Sequence, residues 1–135
     1  MQAYTVVTNN AALQAGGVAG LDLAPVTGGL EAVYDALSRM LQSGYRLVSS
    51  PLPANVPLIR SPVRSVIVQK TDRRFDVPGL LALERARERS QTLGVNAEAR
   101  LRGDLELIDK DQFHRAVAQL KAFDEATAAG ACQSV

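Results

Sequence analysis

Hydroxyl, amide and guanidinium side chains gather in two short stretches of the chain. One is Thr8-Asn9-Asn10; the other runs from Ser49-Ser50 to Arg60 and Arg64-Ser65. An arginine meets a carboxylate or phosphate with a planar fork of N–H donors, and serine and asparagine add neutral hydrogen bonds. Brought together, these residue types suit the capture of a small anion, and they include no general base. The same residues also serve purely local ends, because asparagine and serine side chains commonly close turns on their own backbone.

Other chemistry is sparse. His114 is the only histidine and Cys132 the only cysteine, so a two-histidine metal motif, a cysteine metal cluster and an intrachain disulfide are all excluded. No metal, cofactor or catalytic residue is expected. Thr27-Gly28-Gly29 precedes a helix without the lysine of a phosphate loop or the spacing of a dinucleotide fingerprint. It serves either as an ordinary cap or as an anion site through free amides. Arg102-Gly103-Asp104 is too short a motif to carry an adhesion function.

Fifteen basic residues face fourteen acidic ones, far from the clustered excess that phosphate-backbone binding needs. Nucleic acid is therefore not an expected partner. No apolar run approaches the roughly 20 residues of a membrane span, and no charged leader precedes an apolar stretch. The expectation is a cytoplasmic protein with no membrane contact. Its core must be aliphatic, since tryptophan is absent and aromatic residues make up 4% of the 135 residues.

The elements that position the polar residues follow from hydropathy patterning. Ala3 to Thr8 is rich in β-branched residues and halted by Asn9-Asn10, predicting a central strand. Ala11 to Gly20 has room for one helical turn before a second strand over Leu21 to Val26. Leu30, Val33, Tyr34, Leu37, Met40 and Leu41 recur at three and four residues, predicting a helix capped by Thr27 or Gly28 and ended by Gly44. Arg46 to Ser50 and Arg64 to Lys70 predict two strands inside a covered sheet. Between them Pro51, Pro53, Pro57 and Pro62 stiffen the connection into an ordered loop.

A second helix starts at Pro78, with Leu80, Leu83, Ala86 and Leu93 inward and the charges of residues 84–89 outward, where Glu84 with Arg87 and Arg85 with Glu88 are spaced to pair. Leu105 to Ile108 reads as a short strand. Gln112 to Ala129 then forms a third helix with Asp109 or Asp111 near its cap and Phe113, Ala116, Val117, Leu120 and Phe123 as its apolar stripe. The whole is a single compact α/β domain: a mostly parallel or mixed sheet of four to five strands covered by three main helices. Residues 1–94 form its core, and residues 95–135 an extension packed on that core or on a second subunit. If the strands ending at Asn10 and Ser50 run parallel, their polar ends share the sheet edge where open α/β sheets bind ligands. An antiparallel return then carries Arg60 and Arg64 to Asn9 and Ser49.

These residues also carry a resemblance. Val6-Val7-Thr8-Asn9-Asn10, the helix ending in Gly44-Tyr45-Arg46-Leu47, Pro51-Leu52 and Pro62-Val63-Arg64-Ser65 follow one another as in the GrdX family. Those small proteins are named from gene clusters for selenium-dependent glycine, sarcosine and betaine reductases. The resemblance spans Tyr4 to Leu93. It departs where Val56-Pro57-Leu58-Ile59 replaces a lysine and an asparagine of the family loop, and where Asn96 to Val135 runs on past it. It implies an accessory protein rather than a redox subunit, in keeping with the lack of a selenocysteine position and of a redox cysteine pair.

Three functions follow as expectations. The first is a non-catalytic accessory protein with a protein partner, and the second a carboxylate- or phosphate-binding protein using Thr8, Asn9, Asn10, Ser49, Ser50, Arg60, Arg64 and Ser65. The third is a homo-oligomer joined through the stripe from Phe113 to Phe123.

Overall fold

A computed structural model describes residues 4–18, 20–52, 59–95 and 101–133, with side chains described as far as residue 122. The strands are β1 (Tyr4–Thr8), β2 (Asp22–Pro25), β3 (Tyr45–Leu47) and β4 (Ser65–Lys70). The helices are α1 (Ala11–Gly16), α2 (Leu30–Leu41), α3 (Val77–Leu93) and α4 (Arg102–Gln133). The strands form one mixed sheet in the order β2-β1-β4-β3. β1 runs parallel to β2, pairing Val6 with Leu23, and antiparallel to β4, pairing Thr8 with Ser65. β3 is antiparallel to β4. Consequently β1 and β3 point the same way with β4 returning between them, which is the arrangement the two polar stretches need in order to meet.

Alternation along the strands divides the core into two layers, since successive side chains of a strand face opposite sides of the sheet. Val7, Val66 and Val68 face α2 and α3, where they pack with Leu30, Val33, Tyr34, Leu37 and Leu41 of α2 and with Leu83 and Ala86 of α3. Val6, Tyr4 and Ile67 face the other way, against Leu13 of α1 and Phe113 and Val117 of α4. Burying each of these aliphatic side chains contributes roughly 2 kcal/mol. With both faces covered, β1 and β4 are apolar continuously rather than alternately.

Polar ties fix the helices against this sheet. Asp76 caps α3 by accepting from the Gly79 amide at 3.1 Å, and its second oxygen accepts from the Leu47 amide of β3 at 2.7 Å. Position 79 must be glycine, because a Cβ there would run into the Asp76 carboxylate and Leu47. Tyr34 bonds Ser90 at 3.0 Å, joining α2 to α3 within the core. On the surface Arg87 reaches across to Glu31 and Asp35 of α2, each at 2.8 Å. Neither expected pair within α3, Glu84 with Arg87 or Arg85 with Glu88, forms; two acids one helix away offer Arg87 a fork-like fit that one neighbour along the helix does not.

Several sequence expectations are corrected. Residues 105–108 are helical and belong to α4, which begins at Arg102, so Asp109 lies inside the helix and caps nothing. The apolar pair Leu107 and Ile108 that suggested a strand is exposed, at 63% and 43%. β3 lies at the sheet edge and has three residues. Its outer side is met by the Asp76 carboxylate, and beyond Leu47 the Val48 and Ser49 amides both turn to the Ile67 carbonyl, breaking the ladder. The cap of α2 is Gly29, without a side-chain bond, rather than Thr27 or Gly28. The centre of the proline loop, residues 53–58, lies outside the described residues, as do residues 96–100 and the side chain of Phe123.

Candidate functional site

Thr8, Asn9 and Asn10 turn out to be fully buried fastenings. The Asn9 amide donates to the carbonyls of Gly28 at 3.1 Å and Pro62 at 2.7 Å, while its Oδ1 accepts from the Arg64 amide at 2.8 Å. Both donors and the acceptor are thus engaged, closing three separate loops on one side chain. Asn10 is equally committed: Oδ1 caps α1 by accepting from Ala12, and Nδ2 donates to the Glu106 carbonyl at 2.8 Å and Asp109 Oδ2 at 2.9 Å. Thr8 Oγ1 accepts from the Asn10 amide and donates to Ser65 Oγ at 2.7 Å, the Ser65 proton being directed at Asp109. A buried polar group without a partner is costly, so these side chains have little left to offer a ligand.

Arg64 is 4% exposed and organises the ends of the proline loop. Its guanidinium donates to the Pro51 carbonyl at 2.7 Å, the Ile59 carbonyl at 3.0 Å, the Ser61 carbonyl at 3.3 Å and the Tyr34 hydroxyl at 3.3 Å. Burial lowers its pKa, while the Tyr34 hydroxyl and Asp109 act in the opposite direction. An arginine keeps its charge regardless. Arg60, by contrast, is exposed on the turn before Ser61 and takes no part in the site.

What the sequence reading missed is Asp109. Arg102, Glu106, Asp109, Phe113 and Val117 fall at spacings of three and four, so one face of α4 lies on the sheet edge. Arg102 donates to the Asn9 carbonyl at 3.4 Å, and Glu106 accepts from the Ala11 amide at 2.8 Å. Asp109 Oδ2 accepts from Asn10 and from Ser65 Oγ at 2.6 Å. Burial raises the Asp109 pKa, and the bonds from Ser65 and Asn10, with the Arg64 charge, hold the rise back. Asp109 thereby adds a carboxylate to the hydroxyl, amide and guanidinium groups of the expected set. The signal was present as helical periodicity: the polar residues at 102, 106 and 109 continue the apolar stripe of Phe113 and Val117 backward by two turns.

Between the end of β3, the start of β4 and α4 lies a cleft of about 210 Å³, lined among others by Ser49, Arg64, Ser65, Asp109, Gln112 and Phe113. Ser50 reaches it as well, with its hydroxyl turned onto the Leu52 backbone. Of the predicted site, then, Ser49, Ser50, Arg64 and Ser65 converge on a cavity. Asn9 and Asn10 support it from behind, and Thr8 joins through Ser65. Among the described residues no group of three histidines, cysteines or acids is placed to hold a metal ion, and no helix is long and apolar enough to cross a membrane.

Fold and cleft together define a small mixed-sheet α/β protein with helices on both faces and a polar cleft at one sheet edge. A family model described as GrdX-like protein matches residues 5–118. The chain belongs to the GrdX-like family. The match includes the Asp109 and Phe113 turns of α4, past the point at Leu93 where the resemblance read from motifs ended. Comparison with curated proteins and with solved structures gave no match.

Proposed function

We propose that the protein is a non-catalytic accessory protein that acts by binding a partner protein. The carrying observation is the use made of the motif residues. Thr8, Asn9, Asn10 and Arg64 stabilise the fold from buried positions, with their bonds directed at the protein's own backbone and neighbours. Motif residues used in this way specify a surface more than a reaction. Phe75, Val77 and Leu81, 50% to 59% exposed at the start of α3, are large apolar side chains open to a partner. Affinity purification of the full chain at native abundance tests this reading, run beside a Val77→Asp/Leu81→Glu double variant that keeps the helix. A protein retained by the unaltered chain and lost from the variant supports it. Recovery of the chain alone, with no self-association by light scattering, counts against it.

The cleft favours a second reading, a small-ligand protein using the carboxyl edge of the sheet for a carboxylate or phosphate. Ser49, Arg64 and Ser65 line a single cavity there. A thermal-shift series with phosphate and acetate tests it, with Ser49→Ala as the control that should abolish any stabilisation.

A further inference from the structure

The charges around the cleft select among ligands more sharply than the sequence does. Arg64 and Asp109 are the ionisable side chains that line it among the described residues, and their charges cancel; the remaining lining is serine, glutamine and apolar. Arg64 contributes a fixed positive field, but its fork is directed at the Pro51, Ile59 and Ser61 carbonyls, which draws it away from bidentate capture of an anion. Asp109 repels an anion from the same cavity, and Arg64 repels a cation.

The hydrogen-bonding capacity left over is specific. Asp109 Oδ2 accepts from Asn10 and from the Ser65 hydroxyl, and the Ser65 backbone amide also bonds the carboxylate, whose two oxygens together offer more acceptor sites than these three donors fill. Ser49 Oγ accepts from the Ile67 amide at 2.8 Å, leaving its own proton to donate. Gln112 lines the cleft with an amide that makes no bond among the described residues. Leu52, Phe113 and Ala116 supply an apolar wall. The cavity of about 210 Å³ holds a molecule of roughly five to ten non-hydrogen atoms.

We propose that this cleft binds a small, net-neutral polar molecule, whose N–H or O–H donor meets the Asp109 carboxylate and whose acceptor meets Ser49 Oγ and Gln112. The proposal rests on the ligand-binding reading of the cleft and changes the ligand from an anion to a neutral one. Three probes of similar shape separate the cases: propionamide, propionate and propylammonium, titrated at matched ionic strength into the isotope-labelled full chain and followed by amide NMR shifts.

Propionamide is expected to perturb Ser49, Ser65 and Gln112 and to bind at least about five-fold more tightly than either charged probe, the equivalent of one neutral hydrogen bond. Asp109→Asn leaves the cleft with a net positive charge and should turn the preference to propionate. Gln112→Ala alters an exposed side chain without described partners, so the fold persists, and it should weaken propionamide by about three- to five-fold. Should Asp109→Asn fail to fold, the Gln112→Ala titration decides alone. Preference of the unaltered chain for propionate overturns this proposal and leaves the anion reading standing. Preference for propylammonium overturns it too. Absence of any shift at tens of millimolar removes both the proposal and the ligand-binding reading of the cleft.

Discussion

The Asn9-Asn10 turn and the Ser49–Asp109 cleft lie on the same sheet edge and are built from the same kinds of residue, yet they differ in what remains unengaged. In the turn both amides use every donor and acceptor on the protein's own backbone or on α4. In the cleft one hydroxyl proton and one amide are left unengaged among the described residues, beside a carboxylate with acceptor capacity to spare. Residue type alone did not separate fastening from site. The separation comes from counting which hydrogen-bonding capacity the fold has already used.

Arg64→Ala should give the largest effect on the fastening side. It leaves the Pro51, Ile59 and Ser61 carbonyls without their donor in a buried setting, and removes the Tyr34 contact. A loss on the order of 3–5 kcal/mol is expected from a urea unfolding curve. Arg64→Lys should recover a minor part, because one ammonium cannot reach carbonyls arranged around a fork. A loss below about 1 kcal/mol would mean that the loop ends hold their shape without the guanidinium.

Asn9→Ala comes next, at about 2–3 kcal/mol, since it strands the Arg64 amide and the Pro62 carbonyl where water has little access. The same unfolding assay reads it. If the cost matched that of an exposed asparagine, the turn would not be the fastening its geometry describes.

The fold was legible where periodicity and packing agree. Val6-Val7 and Val66-Ile67-Val68 announced covered strands, and the stripe from Leu30 to Leu41 announced α2, since each pattern has one stable way to bury its apolar side chains. The parallel sense of β1 and β3 and the return of β4 between them were also readable, through the crossover helix. What escaped were elements whose burial is polar. Arg102, Glu106 and Asp109 occupy the inward face of α4, whereas Leu107 and Ile108 point outward, so hydropathy inverted the reading and a strand took the place of two helical turns. The cleft lining was half legible for the same reason: Ser49, Arg64 and Ser65 stand out by type, whereas Asp109, like Asp111, reads only as a residue near a helix cap.

Asp109 gives a smaller, pH-dependent effect that bears on the cleft side. Its folded-state pKa is raised by burial above the ordinary carboxylate value, so the folded protein holds the Asp109 proton more tightly than the unfolded chain does. The resulting stabilisation is complete below the unfolded-state pKa and is lost as pH rises through the raised folded-state value. Asp109→Asn does not titrate. The melting temperature of the variant relative to the unaltered chain should therefore climb with pH across that window and then level off. A constant difference would show that Asp109 ionises as it does in the unfolded chain.

Gln112→Ala is the counterpart of Asn9→Ala and the sharpest form of the comparison. Both substitutions delete a primary amide from the same edge of the molecule, but Gln112 is exposed and makes no hydrogen bond among the described residues. Alanine also favours the helix interior slightly. The stability change should lie within about 0.5 kcal/mol of zero, read by the same urea curve. A loss approaching that of Asn9→Ala would place Gln112 with the fastenings. A stability left intact, together with a weakened propionamide titration, would assign the two amides to different tasks: one holding the sheet edge closed, the other available at its cleft.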